Sequence, residues 1–490
     1  MKPEKFERLE EHLWEVPRYQ NFMRVPARIY ASEKLLKKMQ EDLTIQQGIH
    51  VTALPGIVSY SEVMPDGHQG YGFPIGGVAA FDYEDGVISP GGVGYDINCG
   101  IRLIKTGLKM EEITSYLEKI MDTIYGYVPA GIGMKGKIKI TPQEFDQLLK
   151  KGSKWAIERG YGWEIDLERT EDGGYYPLAD PSKVSQRAKE RGLPQVGTLG
   201  GGNHFLEMQV IKEIFDPKIA RAFGLEKGNV AILIHTGGRG ISHEVCDDYL
   251  RKFEKAIRAG ETEDSEKLQK VLNLERELCC AKVKSRLGKD YLGAMAACAN
   301  YAWTNRQVIT YFVRKSFEEV LGKHAEDLGM DLVYDVAHNI AKIEEYEVDG
   351  KKKKLVVHRK GATRSLPAFH PSTPNCYREI GQPVLIPGSM GSTSYILVGT
   401  DKAVKNAFGS TAHGAGREMS RTRAKKQFYG GEIKKELERD GIVVRCKNLP
   451  EFAEEYKKAY KDPTEVVNVC HEAGLAKKVA SFATIGIIKG

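Results

Sequence analysis

The sequence lacks the long apolar runs and cysteine frameworks that mark membrane and secreted proteins. No run approaches the roughly 18 apolar residues that a membrane-spanning helix needs, and the charged N-terminal stretch MKPEKFERLEEHLWEVPR contains no signal-peptide core. Eight cysteines are scattered over 490 residues, a spacing that indicates no disulfide framework. We therefore expect a protein of the reducing cytoplasm with no membrane partner.

Two familiar nucleotide-binding patterns are also missing. The segment GIGMKGKI, residues 131–138, nearly fits the phosphate-binding P-loop, but Ile138 stands where the pattern requires a hydroxyl for Mg²⁺. Every Asp-Gly pair lacks a lysine two positions before it, which excludes the K-x-D-G arrangement of the common nucleotidyl-transferring ligases. If a nucleotide becomes attached covalently, a different side chain must attach it.

The composition is otherwise that of an ordinary globular protein. Hydrophobic residues make up 41% of the chain and charged residues 28%, both typical values. The 52 glycines cluster around histidine, asparagine and aspartate, and the formal net charge is +6. This charge permits a polyanionic partner without requiring one.

The hydrophobic pattern predicts a mixed α/β (α+β) fold with mixed sheets and flanking helices. Residues 1–50 are predicted to form short helices, one of them capped by Ser32. Strands with glycine-rich ends are predicted over 51–106 and 193–240, and a helical block over about 247–321.

Further along, a hairpin is predicted around the Asp349-Gly350 pair, which suits a tight turn. A helix-rich tail follows the last predicted strands. Because no repeat, low-complexity tract or linker divides the chain, we expect residues 1–490 to form one interlocked domain.

Four segments share a format in which an apolar strand runs into a glycine-rich or polar turn with a histidine or cysteine. They contain common metal-binding side chains, namely Asp96, Cys99, His204, His235 and His338. One carboxylate, one thiolate and three imidazoles suffice for two metal ions if the thiolate bridges them. Ligand softness alone favours Zn²⁺ or Fe²⁺. The alternative is that each histidine is a hydrogen-bonded core residue at the end of its strand.

The stretch GSTAHGAGREMSRTRAKK predicts a helix that begins at a glycine-rich turn. The first turns of this helix carry Arg417, Ser420, Arg421 and Arg423. Free N–H groups at a helix N-terminus, reinforced by arginines, bind anions. His413 lies at the entry and can act as a nucleophile toward phosphorus, or it can simply form a backbone hydrogen bond. With Arg239 in the segment TGGRG, the pattern favours phosphate chemistry.

The basic run Lys351–Lys354 has two interpretations. Together with the basic residues that follow it, it can track a nucleic-acid backbone, or it can decorate an exposed hairpin tip. We favour the hairpin tip, because the acidic strand IEEYEVD faces the run. The basic residues that follow are His358, Arg359, Lys360 and Arg364. Cys279 and Cys280, in a helix-like stretch, are predicted to be core residues.

Taken together, eight strings of the sequence resemble the RtcB family of tRNA-splicing RNA ligases. They are PDGHQGYGFPIGG, GGVGYDINCGIR, TLGGGNHFLE, HTGGRG, AHN, PGSMG, STAHGAGR and the terminal IKG. The match extends in order from about Ser61 to Gly490, and no essential motif is missing.

The resemblance implies GTP- and Mn²⁺-dependent joining of an RNA 2′,3′-cyclic phosphate or 3′-phosphate end to a 5′-hydroxyl end. It also implies the family's mixed sheets around a central metal pocket with two Mn²⁺ ions. By similarity, one ion is held by Asp96, Cys99 and His204. The other is held by Cys99, His235 and His338, so that Cys99 bridges.

By the same resemblance, His413 matches the family's nucleophile, which becomes linked to GMP before GMP passes to the RNA 3′-phosphate. Arg239 and Arg417 are candidates for holding RNA phosphate, and Asp66 for assisting at the metal edge. The implied substrates are tRNA halves or broken RNA, and an archease-like activator is an implied partner. The positions that match nucleotide contacts are Asn203, Phe205, Glu207, Asn339, Pro387, Gly388, Ser389, Met390, Ser394, Gly414, Ala415, Gly416, Tyr460 and Lys489.

Two other functions remain open at this point. A two-metal phosphoesterase acting on RNA ends would use the same five ligands and leave His413 without a role. A non-catalytic RNA-binding subunit would bind RNA without metal or GTP, and the intact ligand set argues against it.

Overall fold

The chain folds around two large β-sheets, as described by a computed structural model of residues 6–490. The strands are β1 (Glu7–Glu10), β2 (Leu13–Val16), β3 (Ala27–Tyr30), β4 (Ile57–Tyr71), β5 (Phe73–Asp82), β6 (Val87–Ile88), β7 (Gly100–Lys109), β8 (Phe205–Ile214), β9 (Asn229–Thr236), β10 (Ala281–Lys282), β11 (Leu332–Ala337), β12 (Asn339–Val348), β13 (Lys351–Lys360), β14 (Ala362–Arg364), β15 (Pro383–Ile386), β16 (Ser394–Gly399), β17 (Ser410–Ala412), β18 (Val443–Cys446) and β19 (Ala476–Lys489).

Helices cover the sheets and link their strands. The α-helices are α1 (Glu33–Met39), α2 (Thr44–Val51), α3 (Pro90–Val93), α4 (Met110–Ile113), α5 (Leu117–Tyr127), α6 (Pro142–Lys151), α7 (Ser153–Ile157), α8 (Glu164–Glu168), α9 (Gln186–Gly192), α10 (Pro217–Ala222), α11 (Arg239–Arg258), α12 (Ser265–Leu274), α13 (Arg286–Leu321), α14 (Asp401–Ala407), α15 (Arg421–Gln427), α16 (Gly430–Arg439), α17 (Leu449–Glu454) and α18 (Pro463–Glu472). Short 3₁₀ helices occupy Thr114–Tyr116, Glu171–Gly174, Pro181–Lys183, Leu193–Gln195, Arg276–Leu278, Asn375–Tyr377 and Lys457–Ala459.

Both large sheets are mixed in strand direction. The first runs in the order β1-β2-β3-β4-β5-β13-β12, with β3 and β4 parallel and the other neighbours antiparallel. The second runs β11-β7-β9-β8-β19-β16-β15, and β18 adds a parallel pairing to β19. The prediction of a mixed α/β fold is therefore confirmed.

The central strand β9 shows why the second sheet is a core element. All eight of its residues, NVAILIHT, are buried. Ile232 and Ile234 pack into one hydrophobic cluster, and Ala231 and Leu233 into another. Because side chains alternate across a strand, this sheet is covered on both faces, and a continuous apolar run is the sequence that such a strand requires.

The predicted helical block of residues 247–321 is a set of separate helices. The end of α11, then α12 and α13, fall within it, and the short strand β10 interrupts it. The last of these helices, α13, has 36 residues and buries residues of several polar types as well as apolar ones.

Two local predictions for turns and caps are confirmed. Ser32 caps α1, and its side chain accepts a hydrogen bond from the Leu35 N–H. The β12–β13 hairpin turns at Asp349 and Gly350, whose φ angles are +53° and +72°, as a tight turn requires.

The prediction of short helices before residue 33 is wrong for the described residues. Residues 7–16 form the hairpin β1–β2, and β3 then pairs with β4. The charged composition suggested helix, but pairing with distant strands decides the structure of this segment. The part of that prediction that falls on residues 1–5 lies outside the described residues. A single interlocked domain over residues 1–490 stays a prediction.

The basic run divides into an exposed half and a buried half. Lys351–Lys354 lie at the hairpin tip opposite residues 345–348, as expected. The prediction that His358, Arg359, Lys360 and Arg364 share this exposed surface is wrong, because all four are buried.

The described cysteines are all free. Cys279 and Cys280 are buried as predicted, although they lie between a 3₁₀ helix and β10, outside any α-helix. Across residues 6–490, every helix is too short or too polar to cross a membrane.

Candidate metal centre and nucleotide pocket

Four neighbouring strands bring the candidate metal ligands together. In the second sheet β11, β7, β9 and β8 lie side by side. Gly100 at the start of β7 is opposite Thr236 at the end of β9 and Ala337 at the end of β11. Phe205 at the start of β8 is opposite His235. Because adjacent antiparallel strands start and finish at a common edge, residues at these four ends meet.

The five candidate ligands all lie at this edge. Asp96 and Cys99 precede β7, and His204 precedes β8. His235 is the penultimate residue of β9, and His338 lies between β11 and β12. The structure therefore brings together all five residues that the sequence singled out.

Their donor atoms form two groups that share Cys99. Cys99, His235 and His338 make one group, and Asp96, Cys99 and His204 the other, with the ligand atoms of each group within 4.8 Å of one another. The Cys99 Sγ atom is 3.2 Å from His235 Nε2 and 3.5 Å from His204 Nε2. His235 Nε2 is 3.4 Å from His338 Nε2, and His204 Nε2 is 2.7 Å from Asp96 Oδ2.

This geometry fits two metal ions. Donors bound at about 2.0–2.3 Å to one tetrahedral ion lie roughly 3.3–3.8 Å from each other, close to most of the separations here. The Asp96 Oδ1 atom is buried without a hydrogen-bond partner, which leaves it available as a ligand. The other nitrogen of the His204 ring lies 3.1 Å from the Leu199 carbonyl, the kind of contact that orients a ligating histidine.

The pKa values of the candidate ligands favour the metal-binding form for His235, His338 and Asp96, but not for Cys99. Burial lowers the pKa values of His235 and His338 well below their usual range, and neighbouring histidines add to the effect, so both rings are neutral. Burial opposes ionisation of Asp96, but His204 outweighs it and the pKa of Asp96 is lowered. Burial raises the pKa of the Cys99 thiol, and Asp96 raises it further. A bound cation is what deprotonates such a thiol.

One buried arginine that the sequence reasoning missed supports the metal edge. Arg306 on α13 donates to the carbonyls of Asn98 and Thr236, at 2.8 Å each. It also pairs with Asp335 on β11, at 2.8 and 2.9 Å. Each of these three acceptors lies within three positions of a candidate ligand in the sequence. Only a view of the packed helix shows this role, because Arg306 lies far from all of them along the chain.

His413 lies against a buried carboxylate. Its Nδ1 atom is 2.5 Å from Asp66 Oδ2, and the same oxygen accepts hydrogen bonds from the N–H groups of His413 and Gly414. The His413 ring centroid is 4.8 Å from that of His338, so this histidine adjoins the metal group. Burial opposes ionisation of Asp66, but His413 outweighs it and lowers the pKa of Asp66.

Asp66 was predicted to assist at the metal edge, and this role stays a prediction. In the described chain no hydrogen bond or ion pair joins Asp66 to the five candidate ligands, whereas three contacts join it to the segment of His413 and Gly414. A carboxylate that faces Nδ1 at this distance favours a proton on Nδ1. In the neutral ring of that tautomer, Nε2 carries the free lone pair.

Several candidate nucleotide contacts lie close together next to the metal edge. Lys489 is buried, donates to the carbonyls of Gly202 and His204, and lies 6.0 Å from the Phe205 ring. Burial lowers the pKa of Lys489 to about 8, although Glu455 acts in the opposite direction.

Glu207, on β8, is the acidic residue among these candidates. Its Oε2 atom accepts from Gln209 at 2.6 Å and Thr484 at 3.0 Å, while Oε1 is buried without a partner. Burial raises the pKa of Glu207 to about 7. The Ser394 hydroxyl accepts from Gln209 and from the Gly388 N–H.

The remaining candidates are distributed around these groups. Asn339 donates to the Asp96 carbonyl and accepts from the Gly361 N–H. The half-buried Tyr460 donates to Glu455 and accepts from Arg417. Pro387 lies against Gly414 and Gly416 against Asp66, while Asn203 and Ala415 are chain neighbours of His204 and Gly414. The Ser389 hydroxyl contacts that of Ser392, and Met390 packs in a cluster with Tyr456.

The two arginines proposed for RNA phosphate are occupied within the protein. Arg239 is 8% exposed, lies against Gly200, and its Nε donates to Thr198. Arg417 donates to Met419, Glu454, Glu455 and Tyr460. The predicted helix begins only at Arg421, capped by Ser420, so Arg417 lies before it.

Acidic residues lie beside α15, the helix that was predicted to bind an anion. Arg421 lies 3.6 Å from Glu454 and from Glu455, and Lys425 also pairs with Glu454. Two carboxylates therefore neutralise much of the positive charge that the sequence suggested for binding phosphate.

Fold and site together define a class of protein. It is a mixed α/β protein with a buried Asp/Cys/His cluster that offers two metal positions beside a paired histidine. Residues 47–490 match the family described as tRNA-splicing ligase RtcB. A relative of that name from Thermococcus kodakarensis is 52% identical over 483 residues, covering 99% of this chain and 98% of its own length. A relative of the same name from Aeropyrum pernix is 51% identical over 486 residues, covering 99% of both chains. The chain belongs to the RtcB family.

Proposed function

We propose that this protein is a GTP- and Mn²⁺-dependent RNA ligase that joins RNA 2′,3′-cyclic phosphate or 3′-phosphate ends to 5′-hydroxyl ends. The reaction proceeds through GMP linked to His413 and then GMP linked to the RNA 3′-phosphate. Family membership supports the ligase activity, and the arrangement around His413 supports the intermediate.

The observation that carries the proposal is the contact between His413 and Asp66. Asp66 keeps the proton on Nδ1, so the lone pair of Nε2 is free for attack. The neighbouring His338 ring, 4.8 Å away between centroids, keeps this nucleophile beside the metal group. A phosphoesterase has no need of such a histidine.

In the first step, Nε2 of His413 attacks the α-phosphorus of GTP, a new P–N bond forms, and pyrophosphate leaves. An oxygen of the RNA 3′-phosphate then attacks that phosphorus, and His413 leaves as a neutral imidazole with its Nδ1 proton still held by Asp66. Finally the 5′-hydroxyl attacks the RNA 3′-phosphorus and expels GMP. A cyclic phosphate end is first opened by water.

The remaining chain residues hold these groups in place. Asp96, Cys99, His204, His235 and His338 would hold two Mn²⁺ ions, which supply Lewis-acid polarisation of phosphate oxygens. Lys489, buried at the pocket wall, contributes positive charge close to the nucleotide. The unpartnered Oε1 of Glu207 accepts N–H groups of the guanine base, which offers two donors on one edge.

The test is incubation of the purified protein with α-labelled GTP and Mn²⁺, followed by denaturing electrophoresis. We expect acid-labile label on the wild type and none on His413→Ala or Cys99→Ala. Asp66→Asn should slow labelling by about 10²–10⁴-fold, because the wrong imidazole nitrogen then carries the proton. His324→Ala, which changes an exposed histidine, is the matched control and should label like the wild type.

A wild-type protein that takes no label with any divalent metal would remove the central step of the proposal. If that protein still opened an RNA cyclic phosphate, the two-metal phosphoesterase would become the better description. Label that survives in His413→Ala would place the nucleotide on another residue.

The substrates and setting belong to the same proposal. The relatives' name, tRNA-splicing ligase, supports tRNA halves as substrates, and broken RNA ends have the same chemistry. An archease-like activator and a cytoplasmic location complete the proposal. Ligation assays with tRNA halves, with and without such an activator, test the first two of these points.

A further inference from the structure

Three aromatic side chains lie together at the surface next to Asp96. The ring centroids of Tyr71 and Tyr95 are 6.2 Å apart and their planes are nearly perpendicular, at 84°. The His243 ring is 6.1 Å from that of Tyr95, with an interplanar angle of 32°. We call Tyr71, Tyr95 and His243 the aromatic corner. None of these residues has a role in the mechanism above.

The corner is exposed although it is aromatic. Tyr71 is 65% exposed, His243 is exposed and Tyr95 is half-buried. Tyrosine combines a large apolar ring with a polar hydroxyl, a combination enriched at interfaces, and aromatic rings exposed close to one another commonly mark a binding surface.

The backbone beneath Tyr71 is held firmly. The buried Lys360 donates to the carbonyls of Tyr71 and Phe73. The N–H of Gly72, which has a φ of +73°, donates to Glu275 at 2.7 Å. The turn between β4 and β5 is therefore fixed, and contact with Tyr95 orients the exposed Tyr71 ring, so little ordering is needed when a ligand binds.

The corner adjoins the metal edge on two sides. Tyr95 directly precedes Asp96 in the chain. His243 lies in the second turn of α11, and the loop that leads into this helix packs on Asp96, because a Cβ on Gly237 would lie 2.6 Å from the carboxylate. A ligand on the corner is therefore next to the reacting groups.

Positive charge lies on α9, which packs against α11, the helix that carries His243. Glu244, the residue after His243, is buried and receives Arg187 at 3.0 Å and Arg191 at 2.7 Å. The side chains of these two arginines are 74% and 47% exposed. Arg251 lies 3.8 Å from the same carboxylate, so three guanidinium groups surround Glu244. Burial raises the pKa of Tyr95, and the negative charge of Asp247 and Glu277 nearby raises it further, so a phosphodiester would be held on the Glu244 side of the corner.

We propose that the aromatic corner binds the base of an unpaired nucleotide at an RNA end that is being joined. Bases of single-stranded RNA stack on aromatic side chains, and arginines nearby take the phosphates. The inference rests on the proposed function, since it names where that function's RNA substrate would be held. Stacking tolerates any base, as an enzyme that joins ends of different sequence requires.

The test measures binding of short single-stranded RNAs that carry the fluorescent base 2-aminopurine, whose emission falls when it stacks. One RNA carries it at a 3′-phosphate end and another at a 5′-hydroxyl end, and both are titrated with full-length protein and Mn²⁺. We expect quenching by the wild type with at least one of them. Quenching with only one RNA would assign the corner to that end.

The variants are Tyr71→Ala, His243→Ala and Tyr71→Phe. Tyr71→Ala should raise the Kd by about 5- to 100-fold and remove most of the quenching, since stacking of one base contributes that much. His243→Ala should act in the same direction, and Tyr71→Phe, which keeps the ring, should bind like the wild type. Tyr116→Ala is the matched control, because Tyr116 is another exposed tyrosine, at 44%.

Equal Kd values and equal quenching for the wild type and Tyr71→Ala would overturn the inference. The same result is expected if the corner binds a protein and not RNA. Thermal unfolding of each variant checks that it is folded. The proposed function fails separately, by absence of GTP labelling and of RNA joining in the wild type. A wild type that joins RNA, together with a Tyr71→Ala variant of unchanged affinity, rejects the corner alone.

Discussion

Two buried carboxylates next to the metal edge differ because of their immediate surroundings. Asp66 faces His413 and two backbone N–H groups, which hold its pKa down despite burial. Glu207 has neutral donors and an unpartnered oxygen, and burial raises its pKa to about 7. One carboxylate is therefore ionised throughout the physiological range, and the other changes charge within it.

The raised pKa of Glu207 predicts pH-dependent nucleotide binding. Only the ionised carboxylate can accept two N–H donors, so the affinity for GTP should increase as the pH rises through 7. Between pH 6 and pH 8 the ionised fraction grows about tenfold, and affinity should follow it. Equilibrium binding of GTP to the wild type and to Glu207→Gln measures this, and the difference between the two curves cancels the titration of the GTP phosphates. Parallel curves for the two proteins would contradict the prediction.

Among the elements, the helix α13 supports the ends of several strands at once. Arg306 connects the turn before β7, the end of β9 and the strand β11 by hydrogen bonds to Asn98, Thr236 and Asp335. Two turns later on the same helix, Arg314 makes an equally buried pair with Asp166, at 2.7 and 2.8 Å. Neither Arg314 nor Asp166 belongs to the candidate metal site.

Substituting these two arginines one at a time distinguishes an effect on the metal site from an effect on the stability of the fold. Arg314→Met leaves the buried Asp166 without its ion-pair partner and should cost about 3–5 kcal/mol of stability. Arg306→Met should cost less, because Asp335 stays paired with the buried Arg102, 2.6 Å away. Only Arg306→Met should also weaken Mn²⁺ binding, by about tenfold or more, as loss of ligand-orienting contacts does. Calorimetric titration with Mn²⁺ and denaturant unfolding measure the two effects. Equal Mn²⁺ affinity in the two variants would show that Arg306 acts on stability alone.

For the whole molecule, the candidate metal centre joins segments that are distant along the chain. Cys99 and His204 are 105 residues apart, and His235 and His338 are 103 apart. A ligand that binds only the folded state stabilises it by mass action. Metal bound here therefore stabilises the packing of four strands of the second sheet.

Thermal unfolding should therefore respond to metal. At a Mn²⁺ concentration about 100 times its Kd, the folded state should gain about 2.7 kcal/mol, and a chelator should reverse the shift in unfolding temperature. Cys99→Ala, which removes the residue common to both ligand groups, should lose most of the shift. Cys246→Ala, a change at another buried cysteine, should keep it. A full shift in Cys99→Ala would show that the ion binds elsewhere.

Local sequence patterns predicted those features whose cause is local. The Ser32 cap and the Asp349-Gly350 turn depend on a few adjacent residues, and both are present. The alternation and apolar runs predicted a mixed α/β fold. The five candidate ligands were found because each lies at a strand end next to a glycine-rich or polar turn, a pattern visible in the sequence.

The sequence by itself determined the residue types available for the chemistry, the strand ends that carry them and the family motifs. The tertiary structure alone decided which partner each buried group has. Asp66 pairs with His413, 347 positions away in the sequence, and Arg417 forms an ion pair with Glu455. The tertiary structure also decided that residues 7–16 form strands and that the Tyr71 ring contacts the Tyr95 ring. The physical reason is that a buried polar or aromatic group takes whichever neighbour the packing of distant elements supplies, and no short-range pattern encodes that packing.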